Sequence, residues 1–550
     1  MAAKAKLQVL MLAAENAALA GAKVGGMADV LAELPPALQS QGVAAHIIMP
    51  DYGFLAKEQG ADFLCEFEFA FGAGTTRARL YRIANPAVQP GSQGLWIYLL
   101  AHEGFCGVKR EVYSLDGPER PFATDAGKFV LFGAAVAAAL KQGLLPLPDR
   151  FHLHDWHCGG FAMLRALDPA YRGLSKVPCV LSIHNLAMQG VRPLAGEASS
   201  LAAWYPWLLA EGVNSKLQLA LDTRYPGCIN PLRAAIQFSD VIHLVSATYA
   251  KEVLRPSQPE LGFFGGEGLE ADLQAKAKLG QVFGILNGCD YQKGLPLAAG
   301  KRRQLKLQLP KIATEALLSK LGRSDAVTPA DMIAQIRLGQ ISDSPGMLLT
   351  SVGRLTEQKL LLLCHPWQGK TVLEELLLRL AQFSDSACFW LLGSGDEQIA
   401  ALFGRIAASN SNFRFINGYH QELADALYQC GDLFVMPSSF EPCGISQMLA
   451  LRAGQPCLVH ATGGLADTIS DGDNGLVFSG TGLDEQAKAL LDALSRALEL
   501  YSTANWNALR KRASASRFSW QDSARLYLTQ LYQVESYSKD ERRPVESAIN

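Results

Sequence analysis

Two cations placed just past the end of an apolar run are the first chemical signal in this chain. Arg354 and Lys359 lie in Val352-Gly353-Arg354-Leu355-Thr356-Glu357-Gln358-Lys359, directly after the run Met347–Val352. Arginine grips a phosphate bidentately and lysine acts as a point charge, so the spacing predicts two fixed cations on a phosphate. A solvated loop with a Glu357–Lys359 pair is the plainer alternative. A second signal is Met436-Pro437-Ser438-Ser439-Phe440-Glu441-Pro442-Cys443-Gly444-Ile445-Ser446-Gln447, where two prolines stiffen a loop. Gly444 is expected to open a helix whose free amides favour an anion, which makes Cys443, Gly444, Ile445 and Ser446 candidates for binding. Phosphate would repel Glu441 there, so its carboxylate is expected to accept from sugar hydroxyls. The alternative is an ordinary capping loop with a solvated glutamate. Thr462-Gly463-Gly464 supplies another small-residue turn after the next apolar run.

The first half of the chain carries two comparable groups. Lys23-Val24-Gly25-Gly26-Met27-Ala28-Asp29 stands between a short apolar run and a helix-period segment. Its glycines let a ligand approach the backbone, and Lys23 adds a charge. A plain turn with a solvated lysine fits equally well. No G-x-G-x-x-G follows the first strand, which disfavours a dinucleotide cofactor. His152-Leu153-His154-Asp155-Trp156-His157-Cys158-Gly159-Gly160 ends a strand. His152 and His154 share one face of it, whereas His157 lies beyond its end and is expected to reach substrate. The grouping lacks the spacing of a metal site, so no metal is expected. His152 is read as structural, with His154 and Asp155 in hydrogen bonding. The next strand ends in Ser182-Ile183-His184-Asn185, which adds polar groups to the same edge.

Such groups need strands that end together. Apolar runs at Leu7–Ala13, Ala45–Met49, Leu95–Ala101, Phe151–His154, Val177–Ile183 and Val241–Val245 alternate with helical periodicity. The rhythm returns after Met347. The intervening stretch Pro296–Asp343 is basic at first and helical later, and it reads as an insertion or lead-in. Alternation of this kind predicts parallel sheets covered by helices, an α/β fold of two doubly wound domains. The expected divisions are 1–280, 281–520 and a C-terminal helix with a frayed tail over 521–550. Ligands of such sheets bind outside the carboxyl ends of the strands, so the expected active site is the cleft between the domains.

Composition narrows the function classes. The 550 residues include 50 Lys+Arg against 52 Asp+Glu, a balance that argues against nucleic acid as the main partner. The 11 cysteines contain no C-x-x-C pair, which predicts reduced thiols and a cytoplasmic location. The run Leu7–Ala14 is too short for a signal sequence, and the Ala-rich run Phe129–Leu140 is too short for a membrane span. No membrane partner is expected.

In combination these motifs resemble the bacterial glycogen synthase and plant starch synthase family, in order from Lys23 to Phe518-Ser519-Trp520. The resemblance rests on the Lys23–Asp29 loop, His154–Gly159, Ile183–Gly190 and Gly284–Gly288. In the second half it rests on Arg354–Lys359, Gly393–Asp396 and Phe440–Gly444. It implies a retaining glucosyltransferase of the GT-B fold, two Rossmann-like domains facing a deep cleft. The implied reaction passes glucose from ADP-glucose to the non-reducing end of glycogen or another α-1,4-glucan, without cofactor or metal. By this resemblance Lys23, Gly25 and Gly26 approach the donor, Arg354 and Lys359 hold its diphosphate, and His157 and Glu441 contact the glucosyl unit. Tyr419 is implied to stack on adenine. Asp29, Asp155, His184, Asn185 and the Thr462–Gly464 turn join the implied substrate-binding set. The chain departs from the family at Ser439, where arginine is usual, at Cys289–Gly294, in the Lys-rich Gly300–Leu307 stretch, and at Arg452–Gly454 and His460-Ala461. A weakly active glucan- or nucleotide-sugar-binding relative and a UDP-glucose enzyme are the alternatives.

Overall fold

β-Branched and apolar runs bounded by glycine or polar residues form most strands, and in the computed structural model these sort into two large sheets, beside two short two-stranded ones. The structure describes residues 7–88, 94–107, 110–114, 116–117, 119–210, 212–321, 327–339 and 346–533. The expected frayed tail from Asp540 lies outside them. The chain divides into two compact units. Unit 1 holds the described residues up to Ser257, Gly265–Gly288 and those from Trp520 on, and unit 2 holds Gln258–Phe264 and Cys289–Ser519.

Unit 1 is built on β1 (Leu7–Leu12), β2 (Val43–Pro50), β3 (Asp62–Phe71), β4 (Gly74–Ala84), β5 (Trp96–Ala101), β6 (Arg150–His154), β7 (Cys179–Ile183), β8 (Val241–Leu244) and β9 (Val282–Gly284). Their order is β9-β8-β7-β6-β1-β2-β5-β4-β3. The strands from β9 to β5 pair in parallel, as the alternation predicts. β4 and β3 depart from the expectation of an all-parallel sheet, because they pair antiparallel at its edge. The link between them, Gly72-Ala73, is too short for a crossover helix, and Gly72 takes φ +59°. β9 keeps the chain in unit 1 through Gly288, beyond the division at 280 read from the sequence. Helices α1 (Gly26–Ser40) and α2 (Ala123–Lys141) follow β1 and β5. α2 is long and apolar enough to cross a membrane by composition, and 89% of that stretch is buried.

The chain comes back to unit 1 at Trp520, whose indole donates to Glu33 of α1. A buried hydrogen-bonded chain fixes the end of this segment. Tyr532 Oη lies 2.8 Å from His152 Nδ1, and His152 Nε2 lies 2.7 Å from Ser182 Oγ. Ser182 Oγ is 2.7 Å from His243 Nδ1, and His243 Nε2 is 3.0 Å from the Ile285 carbonyl. That carbonyl only accepts, so His243 is protonated on Nε2 and its Nδ1 accepts from Ser182. Ser182 then accepts from His152 Nε2–H, and Tyr532 donates to His152 Nδ1. With both histidines held neutral by burial, every link runs in one direction.

Unit 2 contains β10 (Leu348–Val352), β11 (Cys388–Gly393), β12 (Phe413–Asn417), β13 (Leu433–Met436), β14 (Cys457–His460) and β15 (Gly475–Phe478), all paired in parallel. Their order, β12-β11-β10-β13-β14-β15, is the doubly wound 3-2-1-4-5-6 arrangement. Alternate residues feed cores on opposite faces. Leu349, Phe389, Leu391 and Val435 enter one cluster, and Leu348, Trp390, Leu392 and Phe434 enter the other. Pro296–Asp343 contains α3 (Ala299–Leu321) and α4 (Pro329–Leu338), the latter opened by a Thr328–Asp331 capping box.

Candidate functional site

In a 3-2-1-4-5-6 sheet the chain leaves the first and fourth strands in opposite directions, which opens a crevice at their carboxyl ends. In unit 2 those strands are β10 and β13, and the loops after them carry Arg354 and Glu441. Gly353 donates to the Leu392 carbonyl, and Leu355 exchanges backbone hydrogen bonds with Ser394 and Asp396, which pins the Arg354 loop to the end of β11. Lys359 lies on α5 (Glu357–Cys364), one turn further on. Its Nζ is 3.0 Å from Glu441 Oε2, so its partner is not the Glu357 of the plainer reading. Arg354 is exposed and enters no ion pair among the described residues.

Glu441 is 7% exposed and also accepts from Ser438 Oγ at 3.2 Å. The backbone N–H groups of Ser439 and Phe440 donate to the Gln358 carbonyl, so the loop that bears Glu441 is stitched to the residue before Lys359. Gly444 does not open the helix. It takes φ +71°, Ile445 follows as the cap, and α6 begins at Ser446 (Ser446–Arg452). The left-handed turn comes first because the chain must reverse out of the proline-stiffened loop. Cys443 is buried, and Ser446 Oγ donates to the Val352 carbonyl at 3.4 Å. Gly463 and Gly464 pack so closely that a Cβ would strike the carbonyl oxygens of Glu441 and Cys443 respectively. Gly464 N–H donates to the Glu441 carbonyl, which ties the Thr462 turn to the same loop. Ser439 is buried and its hydroxyl has no hydrogen-bond partner among the described residues. His460 donates through Nδ1 to the Ser438 carbonyl at 3.0 Å, and burial lowers its pKa. Tyr419 follows β12, 61% exposed, with its hydroxyl on Gln421 Oε1 at 2.6 Å.

In unit 1 the corresponding crevice lies between the ends of β1 and β6. The Lys23–Gly26 loop follows β1, and Lys23 Nζ pairs with Asp29 at 2.6 Å. Sequence reasoning missed the residue that shapes this loop. Glu15 is buried, and its Oε2 accepts the backbone N–H groups of Val24, at 2.8 Å, and Gly25. Its Oε1 accepts the Tyr113 hydroxyl at 2.6 Å. Tyr113 is held by its neighbours: Lys128 of α2, in a buried pair with Asp125 at 2.7 Å, also donates to the Val112 carbonyl at 2.8 Å. An acidic residue just past the end of β1 was the available signal for Glu15. Tyr113 gave none.

His157 sits in a short turn after β6, buried between Trp156, Phe129 and Tyr113, with ring centroids 4.4, 4.5 and 5.5 Å away. Burial lowers its pKa to about 3, so the imidazole is neutral. Its Nδ1 has no hydrogen-bond partner among the described residues. Asp155 takes φ +57°, a conformation of order 1–3 kcal/mol above the ordinary regions. Its Oδ1 accepts the backbone N–H groups of His184 at 2.7 Å and Asn185 at 3.4 Å, clamping the ends of β6 and β7 together. Burial raises its pKa to about 7 against those bonds. His184 stacks on His154, with Nε2 2.9 Å from His154 Nδ1, and burial lowers its pKa to about 3. Asn185 Oδ1 accepts from the Ala187 N–H within its own turn. Among the described residues no group of three or more His, Cys, Asp or Glu side chains is placed to hold a metal ion.

The chain is similar to known proteins over most of its length. Residues 8–275 match the family described as starch synthase catalytic domain, and residues 348–499 match glycosyl transferases group 1. A glycogen synthase of Geotalea daltonii is 33% identical, over 96% of this chain and 99% of its own length. A glycogen synthase of Moorella thermoacetica is 30% identical, over 95% of each chain. Among solved structures, the catalytic domain of starch synthase IV from Arabidopsis thaliana, bound to ADP and acarbose, superposes with a TM-score of 0.71 at 26% identity. That match covers 96% of this chain and 98% of that one.

Proposed function

This chain belongs to the glycogen synthase family of glucosyltransferases, and from that premise we propose that it moves glucose from ADP-glucose to the non-reducing 4-OH of an α-1,4-glucan with retention. The observation that carries the reading is the switch-point cluster of unit 2. An exposed Arg354, Lys359 and a buried Glu441 stand at the ends of adjacent strands, the residue types needed for a sugar diphosphate.

Breaking the bond between glucose and the diphosphate leaves negative charge on the departing oxygens and positive charge at the anomeric carbon. Arg354 and Lys359 oppose the first, as a metal ion does elsewhere. For this reason no divalent cation is required. Glu441, turned to the sugar by its bonds to Lys359 and Ser438, favours the second without forming a covalent bond. A neutral His157 offers hydrogen bonding to sugar hydroxyls without adding a charge that would repel the anomeric carbon. The acceptor hydroxyl attacks from the face that the leaving group vacates and passes its proton to the departing phosphate oxygen, so configuration is retained. Tyr419 gives adenine a face on which to stack, and the Lys23–Gly26 loop approaches the donor. Free thiols throughout the described residues are in keeping with a reducing, cytoplasmic setting.

The test is nucleotide release from ADP-glucose and UDP-glucose, with and without glycogen and with and without EDTA, plus NMR of the new linkage. Glycogen-dependent ADP release that resists EDTA and yields an α-linkage is expected. Faster turnover of UDP-glucose overturns the donor assignment, a metal requirement overturns the electrostatic role of the two cations, and nucleotide release from neither donor overturns the reaction.

A further inference from the structure

Strands buried on both faces of a parallel sheet ordinarily read as continuous apolar runs, and one face of β6, β7 and β8 does not. His152 and His154 of β6, Ser182 of β7 and His243 of β8 share that face with His184, two residues beyond Ser182. His152, His154, Ser182 and His243 are fully buried. Polar groups are costly there unless they are bonded, and the bonds then fix the rotation of the rings.

The C-terminal segment closes this face with α7 (Trp520–Leu526) and one π-helical turn, Tyr527–Leu531. The Tyr532 N–H donates to the Tyr527 carbonyl at 2.8 Å, five residues back. An α-helical turn would stack residue 531 on Tyr527, and the wider turn brings Tyr532 there instead. Both tyrosines thereby reach the polar face. Tyr527 Oη is 3.3 Å from His243 Nδ1, and Tyr532 Oη is 2.8 Å from His152 Nδ1.

From His152 the contacts pass along the face toward the carboxyl edge. His152 and His154 stack with ring centroids 4.5 Å apart at 16°. His154 stacks on His184 at 5.2 Å and 18°, the two joined from Nδ1 to Nε2 at 2.9 Å. His154 Nε2 has no hydrogen-bond partner among the described residues, so its ring neighbours and that one bond set its orientation. Asp155 holds the backbone N–H of His184, which leaves the ring to this stack. His184 Nε2 is committed to His154, and Nδ1 is the ring nitrogen left for a ligand.

We propose that Tyr532 is a positioning residue for the transfer reaction. Through the stacked rings of His152 and His154 it sets the angle of His184, the member of the polar face that binds substrate. The C-terminal segment is thus part of the scaffold of the site in unit 1. The role of His184 rests on the glucosyl-transfer reading, whereas the packing that leads to its ring does not.

Steady-state kinetics with ADP-glucose and glycogen, well below the melting temperature, and NMR of the histidine side chains test it. Tyr532→Phe removes one hydroxyl and is expected to lower kcat roughly 10- to 100-fold, the scale of a slightly misplaced group. KM for ADP-glucose should stay nearly unchanged, because Arg354 and Lys359 hold the nucleotide. The ring signals of His184 should shift in the same variant. Leu528→Ala, which truncates a buried apolar side chain of the same turn, is the control. It should lower the melting temperature at least as far and leave kcat near native. In a His184→Ala background Tyr532→Phe is expected to cost nothing further, because the residue through which it acts is gone. Native kcat in Tyr532→Phe, equal kcat loss in Leu528→Ala, or the same loss in both backgrounds overturns the positioning role. A fully active His184→Ala overturns the placing of His184 at the substrate. If the chain turns over neither donor, the transfer reading has failed, and the His184 signals of Tyr532→Phe still decide whether Tyr532 sets that ring.

Discussion

Lys359 and Glu441 are bonded to each other at 3.0 Å, although one follows the first strand of its sheet and the other follows the fourth. The cation assigned to the diphosphate and the carboxylate assigned to the sugar are therefore one electrostatic unit. Arg354 stands outside that pair, and this difference separates the two cations experimentally.

Arg354→Ala and Lys359→Ala are each expected to lower turnover by roughly 100–1,000-fold, the effect of one donor to a developing anion. Stability should divide them. Arg354→Ala removes an exposed side chain and should leave the melting temperature unchanged. Lys359→Ala leaves a buried carboxylate without its cation and should cost about 1–3 kcal/mol. Near-native turnover in either variant, by an ADP-release assay, contradicts the diphosphate assignment.

Glu441→Gln keeps the shape and one acceptor for Ser438 but removes the charge. The expected loss is in kcat, with ADP affinity little changed. A fully active variant, or a glucosyl ester trapped on Glu441 and seen by mass spectrometry, excludes the proposed role.

Glu15→Ala strands the N–H groups of Val24 and Gly25 and the Tyr113 hydroxyl, a cost of about 1–3 kcal/mol for each buried group left unpaired. Faster hydrogen exchange at residues 23–27 and a raised KM for the donor should follow. Tyr113→Phe, which removes a single bond, should give a smaller effect in the same direction. Unchanged exchange in the loop would show that Glu15 does not hold it.

Stability should fall as pH drops from about 6.5. His157 and His184 have pKa values lowered to about 3 and His243 to about 4, and those of His152 and His154 also lie well below the ordinary value. Each binds its proton more readily when unfolded, so each costs up to about 1.4 kcal/mol per pH unit between the unfolded and folded pKa. Asp155 acts oppositely. Its pKa is raised to about 7, so the cost of its charge is relieved as pH falls from 7 toward 4. Five histidines outweigh one carboxyl. Protonating His152 also places a buried charge beside Tyr532, so the C-terminal segment should become more sensitive to protease before the whole chain unfolds. Urea midpoints that stay flat between pH 6.5 and 4.5 contradict this account.

Much of the framework was legible because it depends on local patterns. Apolar runs placed β1, β2, β5, β6, β7, β8 and β10 within two residues, whereas the short parallel strands β9 and β15 escaped. Placing Arg354, Lys359, Glu441 and His157 after strand ends needed only their positions, since a doubly wound sheet presents its ligand groups there. The β3–β4 hairpin escaped because Asp62–Phe71 and Gly74–Ala84 lie at a sheet edge and interleave charges with apolar residues. Only the tertiary structure decided what depends on residues distant in sequence. Strand order brought Glu441 to Lys359, β1 and the segment before α2 brought Glu15 to Tyr113, and the C-terminal segment brought Tyr532 to His152. Burial of five histidines under neighbouring elements keeps them neutral, because desolvation acts on a folded environment that no stretch of sequence contains.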